Sequence, residues 1–290
     1  MKNLPLPMIL SMLFIFGSCS DDKEQGPELA TGLTIRVTSS ITQQYSGNIE
    51  SVRVVEGRSL PSAIAVASKS KTIRYLENDG STLRAYLEDF NMAIPGSEDS
   101  ELTNSAVYDE DHVFVTLTEL TKNSDGKITE CSDGVLLLVT NKENSIGYKS
   151  ATIGPMPDAV AISPDKKYII TADEYDAVPY GKCPNGAENQ GISIFDLDAI
   201  LDHGEYKNTL DNLSLGDLKY SKQIKFTNNA LGEPREPEYI AFASDSNTVA
   251  VTLQDSYEVA LFKMSDIMSK AETTLDESVV QFVDIPANSA

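Results

Sequence analysis

The chain has 290 residues, of which 44 are acidic and 23 basic, for a formal net charge of −21 at pH 7. A surface this acidic repels phosphate and so excludes nucleic acid and anionic membrane surfaces as partners. It is compatible with hard cations, and equally with a plain need to keep an exported protein soluble.

Residues 1–19 read as an export signal. Met1-Lys2-Asn3 is a short basic start, Leu4 to Phe16 is apolar, and Phe16-Gly17-Ser18-Cys19 places small residues before a cysteine. The apolar run is short for a membrane span. The segment resembles the lipobox of bacterial lipoproteins, which implies that Cys19 is lipidated and becomes the mature amino terminus. Ser20-Asp21-Asp22-Lys23-Glu24 looks like the acidic signal that sends Bacteroidetes lipoproteins to the outer face of the outer membrane, although a charged tether needs no such purpose. Residues 20–32 lack an apolar pattern and read as a flexible linker, which leaves residues 33–290 as one domain. The expected location is the outer membrane, lipid-anchored and facing the cell exterior.

The domain is a succession of short alternating runs, which makes it all-β. Leu33 to Thr38 and Ser51 to Glu56 come first. A recurring phrase follows: Leu60-Pro61 to Ser68, then strands at Thr72 to Leu76 and Thr82 to Leu87 around an Asn78-Asp79-Gly80 turn, whose residues accept positive φ. The second copy is Thr103 to Tyr108, His112 to Thr118, an insertion through Asp133, and Val135 to Thr140. The third starts at Pro157 and runs through Ser163-Pro164-Asp165, a turn in which Pro fixes φ and Asp accepts from its downstream backbone. It continues with Tyr168 to Ala172, a long polar excursion and Ile192 to Phe195. Leu197 to Leu201 starts a short helix, and Lys222 to Phe226 is a strand. The fourth copy has strands at Glu236 to Phe242, Thr248 to Leu253 and Tyr257 to Lys263. Meanders that repeat in this way cannot bury their faces alone, and they stack radially. The expected architecture is a β-propeller of four-stranded blades, partial or with about five blades.

Cys131 and Cys183 lie in polar insertions that each precede a strand, in a chain routed to an oxidising compartment. If those strands hold equivalent places in adjacent blades, a disulfide between them is geometrically reasonable; otherwise they are two free thiols. His112 and His203 stand apart, so no zinc pattern is present. The sequence has no Gly-x-Ser-x-Gly elbow, no phosphate-cradling Gly-rich loop before a helix and no His-Glu-x-x-His pair.

Two phrases carry a resemblance. Pro157-Asp158 through Ala172-Asp173-Glu174 and Gly191 to Asp196, with Glu236-Pro-Glu-Tyr-Ile-Ala241 and Val251-Thr-Leu-Gln254, resemble the choice-of-anchor I proteins over roughly residues 60–285. The resemblance implies an extracellular propeller of the YVTN and quinoprotein-like kind, with some alkaline phosphatase-like relatives. The chain departs from the family at Ala172-Asp173-Glu174-Tyr175, where a glycine and one acidic position are lost or shifted.

Propeller sites lie at the axial channel, where inner strands of several blades converge. The candidate metal ligands there are Asp158, Glu236 and Glu238 at strand starts and Asp173 and Glu174 at a strand end. Carboxylates from separate blades suit calcium. Against that, Asp and Glu at strand ends commonly serve as solvated or turn residues. Tyr239 and Tyr257 are expected to pack. The expected function is a surface lipoprotein with a binding or scaffolding role and no catalysis of its own, whose ligand is an extracellular protein, a glycan or a small molecule. The alternative is a calcium-dependent, alkaline phosphatase-like phosphoesterase, which rests on the resemblance.

Overall fold

The structure is a computed structural model that describes residues 49–54, 63–67, 72–78, 83–85 and 90–91, most of 100–174, and 190–206 and 218–285. The signal segment with Cys19, the linker, the expected strand at Leu33 to Thr38, the Asp79-Gly80 turn and Cys183 lie outside the described residues, and so does any pairing of Cys183 with Cys131.

The described residues form four antiparallel blades. The first holds β1 (Ile49–Val54), β2 (Ala63–Ala67), β3 (Thr72–Asn78), β4 (Leu83–Ala85) and β5 (Phe90–Asn91). The second holds β6 (Glu101–Val107), β7 (His112–Thr118), β10 (Val135–Lys142) and β11 (Ser145–Thr152), with a side hairpin of β8 (Leu120–Lys122) and β9 (Ile128–Cys131). The third is β12 (Pro157–Ile162), β13 (Tyr168–Asp173), β14 (Gly191–Asp196) and β15 (Lys222–Lys225), with helix α1 (Leu197–Asp202) after β14. The fourth is β16 (Pro237–Phe242), β17 (Thr248–Leu253), β18 (Glu258–Lys263) and β20 (Gln281–Asp284), with helix α2 (Met264–Met268) after β18. On the way to β20 the chain adds β19 (Thr274–Leu275) in parallel to β15.

Inner strands β1, β6, β12 and β16 pack in succession around one axis, with no packing of comparable extent between β16 and β1. This corrects the repeat alignment at the first copy. The phrase at Pro61 gives β2, the second strand of its blade, whereas the phrases at Pro157 and Pro237 give inner strands. The alternating Ser51 to Glu56 run supplies the missing inner strand as β1.

Alternation explains how the blades stack. Val135, Leu137 and Val139 join Ile64, Val66, Ile73 and Tyr75 of the first blade, while Leu136 and Leu138 join Val160, Ile169 and Phe195 of the third. An unbroken apolar run is what a strand buried on both faces requires. The interface between the third and fourth blades is built in the same way, from Ile170, Ala172, Ile192 and Ile194 against Ile240, Val249, Val251 and Phe262.

The turns join neighbouring blades. In the Ser163-Pro164-Asp165 turn the Ser163 hydroxyl donates to Asp165 at 2.7 Å and accepts from the Lys167 and Tyr168 amides. Lys166 then reaches back to the Tyr108 carbonyl at 2.7 Å, and the Asp165 amide reaches forward to the Ser246 hydroxyl at 2.9 Å.

Candidate functional site

In every inner strand the pairing skips one residue near the start. The skipped residues are Glu50, Thr103, Asp158 and Glu238, each lying between two residues whose partners are consecutive. A β-bulge of this kind re-aims the side chain that it releases from the ladder. In β12 and β16 the residue before the bulge is proline, which tolerates a strand start because it needs no ladder donor there.

Asp158 and Glu238 therefore start neighbouring inner strands in the same irregular backbone, and Glu174 follows the end of β13, its amide bonded to the Met156 carbonyl at 3.0 Å. One carboxylate oxygen from each of Asp158, Glu174 and Glu238 lies within 4.8 Å of the others, and all three side chains are half-buried. Oxygens this close can share one hard cation such as calcium, whose oxygen ligands lie about 2.3–2.6 Å from it. Three like charges so close repel one another, and a cation relieves that repulsion.

The backbone at Asp158 is held from the second blade. The Thr103 hydroxyl donates to the Pro157 carbonyl and pairs with the Thr116 hydroxyl at 2.8 Å. The Asn104 amide nitrogen donates to the Asp158 carbonyl at 2.8 Å, while its oxygen accepts from Arg53 of the first blade at 2.8 Å. The guanidinium dictates which way the amide faces, so an Arg53–Asn104 chain ties the first blade to the carboxylate site. Sequence reasoning missed these residues. The signal was present, because aligning the copies on the residue after the strand's first apolar position puts Thr103 beside Asp158 and Glu238.

Two other expected ligands are not part of the trio. Asp173 faces the second blade and is fully buried. Its oxygens accept from the Thr171 hydroxyl at 2.8 Å, the Ser193 hydroxyl at 2.5 Å and the Gly154 amide. Burial outweighs these donors and pushes its pKa up to about 7. Position 154 must be glycine, since a Cβ there would sit 2.6 Å from the Asp173 side chain. Glu236 is buried, and its carbonyl accepts from the Gln254 amide at 2.9 Å. Tyr239 and Tyr257, expected to pack, are 52% and 73% exposed. Tyr257 also sits in the turn before β18 with a φ of 53°, a conformation that costs a non-glycine residue free energy.

Four sheets stacked radially about an axis, with side chains converging where the inner strands begin, define a β-propeller. The choice-of-anchor I domain matches residues 50–275, and the chain belongs to that family. Membership points to a surface or binding role. No curated protein matches the chain. Among solved structures it is similar to the β-propeller domain of Myceliophthora thermophila Cps50 (Swd1), with a TM-score of 0.50 at 8% identity, over 84% of this chain and 63% of that one. It is also similar to a luciferin-regenerating enzyme, with a TM-score of 0.48 at 11% identity, over 84% of this chain and 64% of that one. The chain thus spans less than two thirds of either propeller. At such identities the likeness shows the fold alone.

Proposed function

We propose that the protein is a lipid-anchored propeller of the outer membrane that faces the cell exterior and binds its ligand through a hard divalent cation such as calcium, held by Asp158, Glu174 and Glu238. The convergence of these three carboxylates from two adjacent inner strands and the end of a third strand supports the reading. Calcium takes about six to eight oxygens, so three carboxylates leave positions for water and for oxygens of a ligand. An extracellular protein, a glycan or a small polar molecule supplies such oxygens. The anchor rests on the Phe16-Gly17-Ser18-Cys19 motif and the acidic residues after it.

The test is thermal unfolding of the purified protein across a calcium titration. A cation that binds only the folded state raises the melting temperature as its concentration passes the dissociation constant. The expected result is a rise with calcium in the wild type and none in Glu238→Gln. A melting temperature indifferent to calcium overturns the reading. The same cation would also polarise a phosphoryl oxygen. Turnover of a generic phosphate ester that is lost in Glu238→Gln would therefore replace a binding role with hydrolysis.

A further inference from the structure

The residue before β14 carries a buried oxygen that meets no donor. Gln190 is completely buried. Its backbone carbonyl accepts the Phe226 amide at 3.0 Å, and its side-chain nitrogen donates to the Phe226 carbonyl at 3.4 Å. A carbonyl only accepts, so the nitrogen must face it, which fixes the end of the side-chain amide that is oxygen. That oxygen, Oε1, has no hydrogen-bond partner. Among the described residues three other buried side-chain atoms share this state, the hydroxyls of Tyr75, Ser100 and Ser256. A hydroxyl can donate or accept, whereas Oε1 only accepts, and an unmet buried acceptor destabilises the fold.

The sheet register places this oxygen. Asp173 pairs with Gly191, and Gly191 pairs with Lys225. One residue further on, Glu174 stands across from Gln190, and Gln190 across from Phe226. Alternation puts the Glu174 and Gln190 side chains on the face of Ala172 and Ile192, which packs against the fourth blade, the blade that supplies Glu238. Residues opposed in this way hold their Cβ atoms about 5 Å apart. With the nitrogen committed to the β15 side, Oε1 is turned to the β13 side, toward Glu174. A carboxylate and an amide oxygen have no proton to share. A cation satisfies both.

We infer that Oε1 of Gln190 is a fourth protein ligand of the cation proposed at Asp158, Glu174 and Glu238. The inference rests on that reading of the trio and extends it to a residue outside the acidic phrases. Calcium takes amide carbonyl oxygens alongside carboxylates. A neutral oxygen fills a coordination position without adding to the repulsion among three carboxylates. Four protein oxygens leave about two to four positions for water and for ligand oxygens. The ion then joins the starts of β12, β14 and β16 to the end of β13.

The experiment is isothermal titration calorimetry of calcium chloride into the purified, calcium-free chain, with Gln190→Met, Gln190→Glu and Glu238→Gln beside the wild type. Gln190→Met keeps the length of the side chain without its oxygen and should weaken calcium binding about tenfold or more. Gln190→Glu keeps an oxygen, loses the N–H that meets Phe226 and adds a charge, so it should bind calcium about threefold more tightly or better. Circular dichroism checks that each variant folds, and Gln190→Glu decides alone if Gln190→Met does not. Wild-type affinity in the Gln190 variants, with binding lost in Glu238→Gln, overturns the inference and leaves the trio standing, Oε1 then facing water. Weakened binding in Gln190→Glu overturns it as well, because the residue would act only through its hold on Phe226. A wild type that takes up no calcium overturns this inference together with the cation site it extends.

Discussion

Asp173 and Glu174 are adjacent in the chain and serve opposite purposes. Strand alternation turns the first toward the second blade, into an interior with three donors, and the second toward the fourth blade and the carboxylate trio. Asp173 has a folded-state pKa of about 7 against 3.8 in an unfolded chain, so the fold prefers its protonated form. Its contribution is fully present below about pH 4, declines as pH rises, and is lost above about pH 7. Asp173→Asn keeps the shape without the charge. Thermal melts at several pH values should show the variant more stable than wild type at pH 8, by on the order of 3 kcal/mol, and equal or less stable at pH 4. A constant difference across that range would show that the carboxyl does not titrate there. Both acids were legible as strand-end residues. Which of them faces the axis was not, because one bulge upstream shifts every side chain of β12 relative to β13, and residue type does not reveal a bulge.

The fourth blade closes on itself through Arg235. Its guanidinium bonds both oxygens of Glu258 at 2.8 and 3.2 Å, bonds Glu277 at 3.0 Å and lies 3.7 Å over the ring of Phe282 in β20. Glu277 in turn accepts the Thr227 amide at 2.9 Å, which brings in the segment after β15. Removing one member of a buried pair strands the other as an unpaired charge. Arg235→Met should cost about 3 kcal/mol in chemical denaturation, and the double variant Arg235→Met with Glu258→Met distinctly less than the sum of the two single changes. Additive losses would show that the two residues do not act as a pair. Strands with strict alternation or with Ser-Pro-Asp and Ser-Asp-Ser turns were readable from sequence, as was α1, whose amino terminus Asp196 caps by accepting the Ala199 amide. The short β19, the β8–β9 hairpin and α2 were not, because elements of two to five residues carry too few turns of either period to stand out. β20 pairs with β18 as the outer strand of the fourth blade.

At the scale of the whole molecule, the propeller was readable because four copies of one meander permit little else. The four copies correspond to the four blades, but the first was aligned one strand out of step, because the Pro61 phrase leads into β2, the second strand of its blade. The proposed anchor belongs to this scale too, since it decides where an acidic propeller is displayed. Cys19→Ala should move the protein from the membrane fraction to the soluble fraction on cell fractionation, and continued retention in the membrane would count against lipidation at that residue.

The recurrent bulge gives the molecule an evolutionary property that no single blade has. Glu50, Thr103, Asp158 and Glu238 occupy one structural slot each, outside the ladder pairing of their own strands. A substitution there leaves the ladder and the apolar clusters between blades intact, while it changes what the blade offers at the axis. The slot accepts an acid or, as in the second blade, the hydroxyl of Thr103, so a change there can revise a ligand one blade at a time with the scaffold unchanged.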